Sequence, residues 1–137
     1  MAVHHSGLDA FSAVADDAVP ATVRALFVSI ATEAHEVAAF GYFDPQWRLL
    51  AMRHVEAGRA DSVAVRVRDV IADALAFDCA LIVMAHNHPC GDPTPSAADY
   101  ALTRQLARTL DAVGVRLVEH LVLAPGRVES FRARGLL

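Results

Sequence analysis

Apolar residues recur along the chain in two rhythms, and each change of rhythm marks an element. Behind Pro20, a residue suited to the first turn of a helix, Val23, Leu26, Phe27 and Ile30 form a stripe at helical spacing. From Glu36 to Phe43 the chain is apolar and partly aromatic, Asp44, Pro45 and Gln46 have turn chemistry, and Trp47 to Val55 returns before Gly58. That reads as a β-hairpin. Val67, Val70, Ile71, Ala74 and Leu75 resume the helical period, with Arg68, Asp69 and Asp73 on the opposite face. Cys79 to Ala85 then runs without a polar break, as a strand covered on both faces does, and leads directly into His86, Asn87 and His88. After a loop rich in proline and glycine, Leu102, Leu106, Leu110 and Val113 make a further helical stripe that Gly114 can cap. Val115 to Leu123 and Val128 to Phe131 read as strands on either side of a turn at Pro125 and Gly126. The order predicts an α/β protein with a mixed sheet flanked by helices.

Composition narrows this to one domain. The chain has 137 residues, 55% hydrophobic and 20% charged, enough to bury roughly 68–70% of its unfolded surface without help from disulfides or metal. Residues 1–19 lack periodicity and read as an N-terminal extension, with the domain spanning 20–137. The longest uncharged apolar run, Cys79 to Ala85, is far too short to cross a bilayer, so no membrane partner is expected. No basic, apolar stretch precedes Arg24, and Cys79 and Cys90 form neither a CxxC nor an even framework. A cytoplasmic location with two free thiols is the expectation. Net charge is -4, and all the basic residues are arginines, scattered rather than run together, so charge gives nucleic acid no support as a partner. The oligomeric state is not legible.

The segment HNHPCGDPTPSAAD, residues 86–99, carries the chemistry. His86 and His88 are one residue apart, and Asp99 joins them if the proline-rich loop folds back. Two neutral imidazoles, one carboxylate and a water make a tetrahedral zinc site of the catalytic kind. Zinc brings the pKa of its water to about 7, a carboxylate nearby can accept the proton, and the Ser96 hydroxyl can help hold an oxyanion. The spacing of the two histidines and the aspartate has an expected count of about 0.03 in a random chain of this composition. A plainer reading stands beside it: Ser96 to Asp99 ahead of an apolar stripe is also a helix capping box, and both readings can hold together.

These residues resemble the JAMM (MPN+) metalloprotease motif, HxHPxGDPxPSxxD, in the form carried by RadC family proteins. The likeness runs from Glu36 through the hairpin, Gly58 and the helix start at Arg68 and Asp69 to RARGLL at the C-terminus. Within it, Glu119 and His120, and Ser130, Phe131, Arg132, Arg134 and Gly135, add independent support. The resemblance implies a cytidine-deaminase-like α/β fold, zinc held by His86, His88 and Asp99, Ser96 as oxyanion helper, and Glu36 as general base. Glu33, Glu56 and Glu119 are its competitors for that role. Three departures stand out: the usual N-terminal helix-hairpin-helix region is expected to be lacking, Cys90 replaces the usual Ser, and Glu119 replaces the usual Asp. Cys90 is a spectator, a fourth ligand or an oxidation-sensitive thiolate. His120 is either a core histidine or faces the metal, whereas His4, His5, His35 and His54 read as surface residues.

Rival chemistries lack their signatures. Pro89 and Cys90 echo a zinc deaminase, but residue 88 is His rather than Glu and no second Cys follows. No HExxH, GxSxG elbow or glycine-rich phosphate loop occurs. The expectation is a zinc-dependent peptidase or isopeptidase acting on a protein or peptide substrate. The alternatives are a DNA-associated RadC-like protein, whether repair accessory or nuclease, and a non-catalytic metal-containing binding module.

Overall fold

The computed structural model describes residues 19–56 and 65–137. The expected extension up to residue 18, the two histidines within it and the Gly58 turn lie outside them. The first helical stretch is split into a short helix α1 (Ala21–Ala25) and a 3-10 turn (Val28–Thr32). There follow β1 (Val37–Phe43), β2 (Leu49–Glu56), α2 (Val67–Ala76), β3 (Leu81–Asn87), α3 (Ala97–Ala112), β4 (Arg116–Ala124) and β5 (Arg127–Ser130). None of these helices is long and apolar enough to cross a membrane.

The strands form one sheet in the order β2-β1-β3-β4-β5. All adjacent pairs are antiparallel except β3 and β4. A parallel pair needs a crossover, and α3 supplies it. β3 occupies the middle and is buried almost throughout, as its unbroken apolar run requires.

Strand alternation sorts the core into two layers. On one face Ala39, Phe43, Val83 and Ala85 meet Val23, Phe27 and Ile30. On the other, Ala38, Phe40, Ile82 and Met84 meet Val70, Ala74, Leu106 and Leu110 from α2 and α3. Several details of the predicted pattern are corrected, Leu75 near the end of α2 and Val113 just after α3 being exposed rather than part of their stripes. Leu26 is 40% exposed, because the break after α1 turns it off the stripe that Val19, Val23, Phe27 and Ile30 maintain. Asp73 is not a solvated outer residue but pairs with Arg53 at 3.2 Å and accepts from the Tyr42 hydroxyl at 3.4 Å.

Gly41 lies where the first layer is tightest. A Cβ there would stand 2.7 Å from Phe43 Cε2 and 3.1 Å from Phe27 Cζ, both in fully buried rings. Gly41→Ala is therefore expected to destabilise the fold by about 1–3 kcal/mol through overpacking. A denaturation midpoint equal to that of the parent would refute this account of the glycine.

Candidate metal centre

The same alternation aims the chemistry. His86 pairs with Ala38 across β1 and β3, and both face the α3 side of the sheet. Carrying that antiparallel register two places further sets residue 36 opposite residue 88 on the same side. Glu36, just ahead of β1, thereby joins His86 and His88 in one group whose ligand atoms all lie within 4.8 Å of one another. Nothing in the local sequence around Glu36 predicts this, since strand pairing alone brings it there.

Asp99 reaches the pair from the first turn of α3. Its Oδ1 lies 3.2 Å from His86 Nε2 and its Oδ2 3.3 Å from His88 Nε2, and the two Nε2 atoms are 3.0 Å apart. A tetrahedral zinc with bonds of ~2.0–2.1 Å needs donors about 3.3 Å from one another, so the separations fit. The donor set fits too: His88 Nδ1 lies 2.9 Å from the Asp92 carbonyl, which can only accept. In neutral His88 the proton therefore sits on Nδ1, and Nε2 turns a lone pair toward a carboxylate.

The loop between strand and helix folds back because it is braced. His88 N–H donates to the Leu123 carbonyl at 2.8 Å, Gly91 closes a turn onto His88 in the left-handed region at φ 91°, and Pro93 and Pro95 are buried. Asp92 accepts from both the backbone N–H and the hydroxyl of Thr94, at 3.0 and 2.7 Å. Ser96 then caps α3: its Oγ accepts from Asp99 N–H at 3.1 Å while its own N–H donates to Asp99 Oδ2 at 2.8 Å. The capping box and the metal-ligand geometry thus share one carboxylate, which satisfies the helix end with one hand and faces the histidines with the other. Ser96 is exposed, and its own hydroxyl proton takes no part in the cap. Cys90 is exposed beside His88, its thiol 3.9 Å from the Asp92 carbonyl and outside the group of Glu36, His86 and His88.

Asn87 escaped the sequence reading. Alternation sends it to the face opposite His86, where its fully buried amide accepts from Val37 N–H at 2.6 Å and donates to the carbonyls of Glu33 and His35 at 3.1 and 3.0 Å. It pins the backbone on both sides of Glu36. The signal was its place between two histidines at the end of a buried strand, where a residue must point into the opposite layer.

Glu119 and His120 part in the same way, with a one-residue register irregularity at Val118 between them and the start of β4. Glu119 pairs with Val83 and turns to the α1 side. It accepts there from the backbone of His120 and Arg132 at 2.9 and 3.1 Å and from the Ser130 hydroxyl at 2.6 Å, with Arg24 at 3.8 Å. It is a structural carboxylate. His120 pairs with Met84 and faces the same side as His86, its Nε2 2.6 Å from His86 Nδ1. Burial, then the neighbouring His86, push its pKa well below the ordinary histidine value. His35 and His54 are exposed, as expected.

Comparison with known proteins follows the same lines. A family model described as RadC-like JAB domain matches residues 18–136. A UPF0758 protein of Methylibium petroleiphilum is 44% identical over 112 residues, covering 82% of this chain and 50% of the relative. One from Verminephrobacter eiseniae is 41% identical over 121 residues, 88% of this chain and 51% of its own. One from Xanthomonas axonopodis pv. citri is 35% identical over 132 residues, 96% and 58% respectively. The chain thus spans about half the length of the curated relatives it matches.

Proposed function

Because the chain belongs to the RadC-like JAB domain family, we propose that it is a zinc-dependent hydrolase that cleaves a peptide or isopeptide amide. The observation that carries this reading is the pair His86 and His88 at the carboxyl end of β3, which gathers with Glu36 in one group with ligand atoms within 4.8 Å and has Asp99, outside that group, 3.2 and 3.3 Å from the two imidazoles. His86, His88 and Asp99 would hold the ion. Zinc bound there would supply Lewis acidity, polarising the scissile carbonyl and bringing the pKa of its water to about 7. Glu36 takes the proton from the attacking water and passes it to the leaving amine. Ser96, with its hydroxyl proton free of the helix cap, donates to the oxyanion.

Metal content per chain tests the site directly. Protein purified without added metal or chelator is expected to carry about one zinc, and His88→Ala none. A parent that takes up no zinc even when supplied would overturn the reading and turn the search toward a non-catalytic binding module. Zinc binding with steeply salt-dependent DNA affinity, and no amide cleavage, would favour the DNA-associated alternative.

A further inference from the structure

The contacts behind His86 form a closed circuit that leaves and re-enters Asp99. Thr103, one turn further along α3, donates its hydroxyl proton to the Asp99 carbonyl at 2.7 Å. A carbonyl only accepts and a hydroxyl has one proton, so Thr103 Oγ1 has only lone pairs left for His120 Nδ1, which lies 2.6 Å away. His120 Nδ1 must therefore be the donor. His120 is fully buried, lies flat on the Phe131 ring at 4.4 Å, and has a hydroxyl and an imidazole at its two nitrogens. The Glu119 carboxylate faces the other side of the sheet. Among the described residues no carboxylate bonds the His120 ring, whose two nitrogens meet only His86 and Thr103, so a charged imidazolium is costly there. Neutral His120 bonded to Thr103 through Nδ1–H has a bare Nε2, and that nitrogen lies 2.6 Å from His86 Nδ1. His86 must then carry a proton on Nδ1, and in the neutral ring this leaves the Nε2 lone pair aimed at Asp99 and His88.

We infer that Thr103 and His120 are positioning residues that hold His86 in the tautomer a metal requires, by a relay of hydrogen bonds from the Asp99 carbonyl. The inference rests on the metal reading above for its purpose, but the relay itself exists without metal. All three side chains are at most 3% exposed, so water cannot stand in for a missing member. Orientation of a ligating imidazole through its second nitrogen is how such outer partners act on metal sites.

Long-range proton–nitrogen correlation on nitrogen-15-labelled, metal-free protein at about pH 8.5, some two units above the ordinary histidine pKa, reads the tautomers directly. His86 and His120 are both expected as Nδ1–H. Thr103→Val keeps shape but removes the acceptor, so His120 is released and His86 is expected to shift toward Nε2–H. Zinc affinity, measured by chelator competition, is expected to fall about 10–100-fold. Thr103→Ser keeps the hydroxyl and is expected to restore both. A packing role predicts the reverse ranking, because Val fills the site better than Ser. His86 found as Nε2–H in the parent, or Val matching the parent in tautomer and affinity, overturns the relay. A parent that binds no zinc but shows both Nδ1–H tautomers, with the Val and Ser responses as stated, overturns the metal reading and upholds the relay.

Discussion

Glu36→Gln is expected to keep its full complement of zinc and to lose hydrolysis by about 10²–10⁴-fold, the usual span for removing a general base. The substitution preserves size and hydrogen-bonding reach while removing the group that accepts a proton. In the proposed reading His86, His88 and Asp99 hold the ion and are untouched, so metal content and turnover should separate. The competing glutamates have other situations. Glu33 is exposed and contributes its carbonyl to the Asn87 clamp. Glu56 is exposed on β2, across from Val37. Glu119 has its carboxylate engaged on the opposite face by Ser130 and two backbone N–H groups. Parallel zinc analysis and cleavage of peptide and isopeptide substrates check the prediction. Undiminished cleavage by Glu36→Gln would end the assignment of Glu36 as general base.

What could be read from the sequence was what local periodicity encodes. The unbroken run ending at Ala85 announced a central strand, and the stripe from Leu102 through Leu106 and Leu110 announced the helix that follows it. The compact spacing of His86, His88, Ser96 and Asp99 announced a site because the whole group lies within one strand–loop–helix unit. Residues whose role depends on pairing between distant strands were beyond this reach. Glu36 meets His88 only because β1 and β3 pair with Ala38 against His86. His120 reaches His86 only because β4 lies parallel to β3, and its neighbour Glu119 points the other way only after an irregularity in register. Leu26 looked like core because a continuous helix would have buried it, but a break of helical phase is a tertiary outcome. Thr103 carries no signature at all, being an ordinary residue that the turn of a helix places behind His86, and the one signal of Asn87 is its place between two histidines on a buried strand.

Asn87→Ala is the second substitution expected to have a large effect, about 2–4 kcal/mol of lost stability. The amide makes three hydrogen bonds from a fully buried position, and truncation leaves the Val37 N–H stranded inside the sheet. An intramolecular hydrogen bond contributes roughly 1 kcal/mol net, while a buried group left without its partner costs about 1–3 kcal/mol. The carbonyls of Glu33 and His35 belong to exposed residues and can turn to water, which keeps the total below the sum of three full penalties. Denaturant unfolding measures the loss, and a change under about 1 kcal/mol would contradict it. Asn87→Asp should be no milder, since it keeps the acceptor for Val37 but sets a carboxylate against two carbonyl oxygens. Because the clamp brackets Glu36, its loss should also be local: exchange of the Val37 amide should accelerate by more than global unfolding accounts for. That excess distinguishes an amide that holds the end of β1 against β3 from one that merely adds to the core.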